Sequence, residues 1–258
     1  MSSSDKPFVI IMDGDMLVFR AASSVEHPIQ WEDDLWTLHA DAAEAKEIVD
    51  EMVLQYAERV LDNYGWGGEY EIILCFTDPS FNFRKSILPT YKANRSGKLK
   101  PVCYGAVLKW IKENYHSELY AGLEADDVVG ILSTRLQAQG REVCVVSGDK
   151  DFKTIPTRFY DFIHDVFYEI DEATADRNHL AQTLIGDTAD NYKGCPKVGA
   201  VGAAKILDKD CSWNAVKDAF IKAGLSEEEA LVNARVAYIL RDKDYDAASG
   251  EPILWTPK

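Results

Sequence analysis

Phe8-Val9-Ile10-Ile11-Met12-Asp13-Gly14-Asp15 is the stretch on which the fold turns. Five apolar residues in a row, rich in β-branched side chains and without polar alternation, describe a strand buried on both faces. Such strands belong to parallel sheets covered by helices. An acid ending the run stands where an open parallel sheet binds its ligands, outside the carboxyl ends of its strands. Two further runs repeat the pattern: Ile72 to Phe76 is followed by Thr77-Asp78, and Val143 to Val146 by Ser147-Gly148-Asp149. Between them, Ala45, Ile48, Val49, Met52, Val53, Tyr56, Val60 and Leu61 recur at helical spacing and predict a helix that Gly65 stops. A second helix is expected over Val107 to Asn114, and a third from Ala125 to Gln139, ended by Gly140. Past residue 172 the pattern is wholly helical, with helices expected near 174–185, 199–208, 212–223 and 227–241. The class is α/β: a mostly parallel central sheet flanked by helices over 1–172, then a helical subdomain over 173–258.

A chain of 258 residues, 47% of them apolar, buries a core without staples. Its five cysteines are odd in number and lack C-x-x-C spacing, which argues against a disulfide framework and a zinc ribbon and for a reducing cytoplasm. No apolar run approaches the length a bilayer requires. Net charge −15 speaks against a nucleic-acid partner at first sight. Distribution matters more than the sum. Arg84, Lys85, Lys92, Arg95, Lys98 and Lys100 follow one another with no acid between them, a segment able to bind phosphate locally. The acids between Glu26 and Asp62 read as a solvated face turned away from such a ligand.

The strand-end acids Asp13, Asp78 and Asp149 come from distant places in sequence and converge on one crevice. Leu123-Glu124-Ala125-Asp126-Asp127 adds three more at the start of the third helix, where the macrodipole favours negative charge. Asp151 follows Asp149 by two residues, and Asp187 and Asp190 sit at i, i+3 spacing. Singly, each is as well explained as a cap or a turn residue. Together they would repel or protonate unless cations neutralise them, and an all-oxygen set suits magnesium or manganese. Several carboxylates around two such ions is the arrangement phosphoryl-transfer hydrolysis uses.

These segments, with Tyr91-Lys92-Ala93-Asn94-Arg95 and Gly186-Asp187-Thr188-Ala189-Asp190, carry a resemblance to the 5′-nuclease superfamily of flap endonucleases and 5′-to-3′ exonucleases, closest to the enzymes of short-tailed phages. The resemblance implies a PIN-like core and a metal-dependent cut of DNA near a 5′ end. Asp13, Asp78, Glu124 and Asp126 would surround one ion, and Asp127, Asp149, Asp151, Asp187 and Asp190 a second. It makes the stretch about 81–103 an arch, mobile or loop-like without DNA, whose Tyr91, Lys92 and Arg95 reach toward the scissile phosphate. Gly194 to Lys205 resembles the family's helix-turn-helix variant, with Lys197, Gly199, Gly202 and Lys205 on the duplex backbone and potassium on loop carbonyls; the lesser alternative is that the glycines merely serve a tight helix connection. Phe19 stands where the family stacks an aromatic on a terminal base, or else it is helix core beside Leu17. Two other readings stay open: a PIN-type ribonuclease, and a DNA-binding relative without catalysis.

Overall fold

The computed structural model describes residues 6–257. Strand β1 (Phe8–Asp13) is buried along its whole length and sits inside the sheet, followed at once by helix α1 (Gly14–Ser24). A hairpin of β2 (His27–Glu32) and β3 (Leu35–His39) comes next, then the long helix α2 (Ala42–Tyr64) and strand β4 (Tyr70–Cys75). Gly65 ends α2 in the left-handed region at φ 58°, a conformation that costs glycine no Cβ clash. A one-turn helix α3 (Arg84–Ile87) precedes α4 (Tyr104–Asn114), the short β5 (Ser117–Glu118), α5 (Ala125–Ala138) and β6 (Val143–Ser147). Strands β7 (Arg158–Asp161) and β8 (Val166–Glu169) close the sheet, in the order β5-β4-β1-β6-β7-β8. Every pairing is parallel except β7 with β8.

Alternate residues of β1 feed two cores, as the period of two requires. Phe8, Ile10 and Met12 pack with α1, α2 and α4, whereas Val9 and Ile11 pack with α5 and with Tyr238, Ile239 and Leu240 from far along the chain. The remaining chain is helical: α6 (Glu172–Ile185), then, after two two-residue strands at Gly186–Asp187 and Tyr192–Lys193, α7 (Ala200–Lys209), α8 (Trp213–Lys222) and α9 (Glu227–Ala237). Leu180, Leu184, Leu207, Val216, Phe220 and Ala230 give this region its own core. No helix among the described residues is long and apolar enough to cross a membrane.

Sequence periodicity located the central strands and the main helices to within a few residues, with α4 starting three residues before the expected Val107. It missed β7 and β8, and the acidic face expected over 26–62 is divided between α2 and the β2–β3 hairpin. That hairpin exposes Trp31, Leu35, Trp36 and Leu38, each by about half or more.

Candidate active site and nucleic-acid interface

Parallel registry places the ends of β1, β4 and β6 along one edge, with Met12 opposite both Leu74 and Val146. Asp13 ends β1 and caps α1, its Oδ1 accepting from the Met16 amide at 3.1 Å. Gly14 permits the close start of α1: a Cβ there would lie 2.5 Å from the Phe76 ring and 2.9 Å from the Cys75 carbonyl oxygen. That approach seats Asp15, whose carboxylate accepts from the Thr77 amide at 2.9 Å and the Tyr104 hydroxyl at 3.2 Å. On the other side of β1, Asp149 caps the turn Lys150–Thr154 and accepts from the Asp151 amide at 2.9 Å.

Charge crowding ties these acids together. Burial raises the Asp13 carboxyl to about 7, with Asp15 and Asp149 adding repulsion. Asp126 is raised too, by burial and then by Asp13 and Asp149. Asp151 reaches about 7 through burial and the charges of Asp149 and Asp187. Asp149 is thus common to two acidic groups, one with Asp13, Asp15 and Asp126 and one with Asp151 and Asp187. The ammonium groups of Lys92 and Lys150 are ion-paired with Glu124 and Asp187; Lys92 also lowers Asp126, but by less than burial, Asp13 and Asp149 raise it. Among the described residues no ready-made cage of side chains closes around a metal position. The chemistry of the donors fits a hard divalent ion: oxygen only, negative, and short of counter-charge. Asp15 was not singled out from sequence, although its place two residues past a strand-end acid was a signal for it.

Glu124 belongs to a different balance. Burial alone would raise it, but Lys92 and Arg84 outweigh that and hold it at about 2. Lys92 also lies 3.5 Å from Asp190, Arg95 meets Asp190 at 2.6 Å, and the Tyr91 hydroxyl donates to Glu124 at 2.9 Å and to Asp190 at 3.0 Å. The base of the arch is therefore docked rather than loose. The Lys92 amide donates to the Asp190 carbonyl at 2.8 Å, and the Asn191 side chain donates to the Thr90 carbonyl at 2.7 Å. Only the stretch beyond the turn Ala93–Arg95 is loop-like and exposed, up to Lys100.

Three expectations, for Asp127, Arg84 and Tyr91, need correction, and a fourth residue, Asp78, is engaged in a local loop. Asp127 is fully buried, with its carboxylate filled by Arg84 at 2.5 and 2.8 Å and by the Leu240 amide at 3.1 Å, so it has no face toward the crevice. Arg84, expected on DNA, is 2% exposed and is the other half of that pair. Tyr91 is likewise buried, its hydroxyl spent on Glu124 and Asp190. Asp78 is turned into a local loop, accepting from the Ser80 amide (2.9 Å), the Ser80 hydroxyl (2.6 Å) and the Gly122 amide (2.7 Å). The Ser80 hydroxyl, then the Gly122 amide, lower its pKa.

Lys85 is exposed at the arch base. Phe19 is 49% exposed while its neighbour Leu17 is buried, which removes the core reading. Around α7 the glycines separate into two kinds. Gly194 is required by packing, since a Cβ would lie 2.3 Å from the Leu184 carbonyl oxygen. Gly199, the cap of α7, has open space around it and Gly202 has only ordinary contact, so neither is demanded by the fold. Lys197, at φ 65°, and Lys205 are exposed beside them.

Comparisons with known proteins show the family and the fold. Residues 8–182 match the family described as 5′-3′ exonuclease, N-terminal resolvase-like domain. The exodeoxyribonuclease of Enterobacteria phage T3 is 33% identical, over 98% of this chain and 94% of its own. The exonuclease of Escherichia phage T7 is also 33% identical, over 98% and 95%. Among solved structures, T5 5′-exonuclease with bound zinc superposes with a TM-score of 0.66 at 17% identity, covering 89% of this chain and 88% of that one. The T5 D15 flap endonuclease in complex with DNA and metal ions gives 0.65 at 18% identity with the same coverage. At that identity these structures speak for the fold, and the sequence relatives and family model for descent: the chain belongs to the 5′-to-3′ exonuclease family and is a hydrolase of phosphodiester bonds.

Proposed function

We propose that the protein is a metal-dependent DNA 5′-to-3′ exonuclease that also cuts 5′ flaps, leaving 5′-phosphates and accepting the RNA of RNA–DNA hybrids as a second substrate. One observation carries this reading: two acidic groups that share Asp149 lie at the carboxyl edge of the sheet without enough counter-charge of their own. Asp13, Asp15, Asp126 and Asp149 would hold one magnesium or manganese ion, and Asp149, Asp151 and Asp187 a second. Such ions, when bound, supply an activated water and neutralise charge on the phosphate and the leaving oxygen.

The chain's own cations complete the site. Lys92 and Arg95 already lie within ion-pair distance of acids at its margin, Glu124 and Asp190, and would neutralise the negative charge that develops in the transition state on a phosphate drawn in beside them. The helical region 173–258 is the duplex-binding part. Open glycines at 199 and 202, unpaired amides at the start of α7, and Lys197 and Lys205 suit phosphate oxygens without reading sequence. The left-handed Lys197 redirects the carbonyls of that turn, the proposed seat for potassium. Exposed Phe19 is placed to stack on a terminal base.

A panel of 5′-labelled blunt duplex, nicked duplex, 5′ flap and single strand tests the reading, with magnesium and with chelator. Metal-dependent release of mononucleotides or short oligomers from the 5′ ends of duplex and flap is expected. Cleavage in chelator, or of single-stranded RNA alone, would sink it.

A further inference from the structure

We infer that Asp127 is the internal counter-ion of Arg84 rather than a metal ligand, and that by taking the bidentate position on the buried guanidinium it acts as a positioning device that leaves Glu124 only a secondary partner of Arg84 and free to pair with Lys92. The inference rests on the metal-dependent reading and assigns two acids that are close neighbours on one helix to opposite duties.

Arg84 cannot leave its site. Its Nε donates to the Val236 carbonyl at 2.9 Å and one terminal nitrogen to the Tyr238 carbonyl at 2.6 Å, with the Phe83 ring beneath at 4.7 Å. A guanidinium this deeply buried needs an anion, because its charge is far from water. Two carboxylates are within reach. Asp127 takes both terminal nitrogens, in the bidentate geometry that guanidinium favours, whereas Glu124 Oε2 stands 3.3 Å from one of them. Asp127 itself is held in place by the amides of Leu240 at 3.1 Å and Glu124 at 3.3 Å. As long as Asp127 is ionised the buried charge is balanced. Without that charge, the guanidinium would draw on Glu124, whose backbone begins the helix that carries Asp126.

The pair also joins three parts of the chain: the arch base through α3, the acid-bearing start of α5, and the segment that leads out of α9. This ionic contact, formed between residues 43 apart in sequence, therefore links arch position to ligand position, alongside the contacts of Tyr91, Lys92 and Arg95.

Mn2+ titration by calorimetry on the full chain tests this, with circular dichroism and melting as the check on folding. Wild-type binding tests the metal reading itself; the differences among variants test the inference. Asp127→Asn, which leaves Arg84 without its anion, is expected to weaken Mn2+ binding by roughly 10-fold or more, the scale seen when supporting partners of ligands are lost. Adding Arg84→Gln to it removes the unbalanced charge and should restore affinity to within about threefold of wild type, a non-additivity that contact partners show. A direct ligand could not be rescued this way, so a double variant as weak as Asp127→Asn overturns the inference. Should the double variant fail to fold, Asp127→Asn/Arg84→Met, which also removes the buried charge, decides: affinity within about threefold of wild type is expected, and a loss as large as that of Asp127→Asn alone overturns the inference.

Discussion

Replacing Asp13 by Asn should stabilise the metal-free protein while abolishing its metal-dependent activity. Asn retains an oxygen to accept the Met16 amide and ranks with Asp as a cap, so α1 keeps its start. What disappears is a buried negative charge beside Asp15 and Asp149. Those surroundings lift the Asp13 carboxyl from 3.8 to about 7. Holding it ionised at pH 8 therefore costs on the order of 4 kcal/mol by linkage, an upper figure because neighbours relax and share the repulsion. The sign follows from the raised value. The folded state binds the proton more tightly than the unfolded chain, so this contribution to stability is fully present below about pH 4 and is lost as pH rises through about 7. In chelator at pH 8 the variant should gain ~1–4 kcal/mol, several degrees in melting temperature for a chain of this size. Near pH 4 the two proteins should melt together. Magnesium should reverse the order at pH 8, since wild type gains binding energy that the variant has lost. Melting curves in urea or heat, at both pH values with and without magnesium, provide the test. An Asp13→Asn protein less stable than wild type in chelator at pH 8 would refute the crowding argument and leave Asp13 as a structural cap.

Lys92→Ala should slow single-turnover cleavage at saturating DNA by roughly 10²–10³-fold, the usual loss for a preorganised contact to developing charge. DNA affinity measured in calcium should change much less; near-normal rates with weakened binding would make the arch a docking loop only. Duplex affinity should fall steeply with salt despite a sequence pI near 4.7, and Lys197→Ala or Lys205→Ala should flatten that slope without changing the saturated rate. An unchanged slope in both would remove α7 from the interface. Gly130→Ala should destabilise the chain by about 1–3 kcal/mol or more, because its Cβ would lie 2.2 Å from the Leu240 carbonyl oxygen. A wild-type melting point would show that α5 and the segment after α9 do not pack this tightly.

Much of this protein was legible in its sequence, because the signals were local. An unbroken apolar run such as Phe8 to Met12 can be satisfied only by burial on both faces, and strand-end acids of a parallel sheet share one edge whatever the connections between them. Gly65 as the stop of α2 and the helical phase of its apolar residues needed nothing beyond their own neighbours. The duties of individual charges were not legible in that way. Asp126 and Asp127 are consecutive, so on a helix their side chains point about 100° apart, and which one faces the crevice depends on where the sheet lies. Only the folded chain brings Arg84 to Asp127, buries Tyr91 between Glu124 and Asp190, and turns Asp78 toward Gly122. Asp15 enters the site because Gly14 lets α1 approach Phe76, a contact between residues far apart in sequence. Composition and spacing state how many charges a segment carries. Whether each meets a metal, a guanidinium or an amide is decided by which partners the packed core places within about 3 Å.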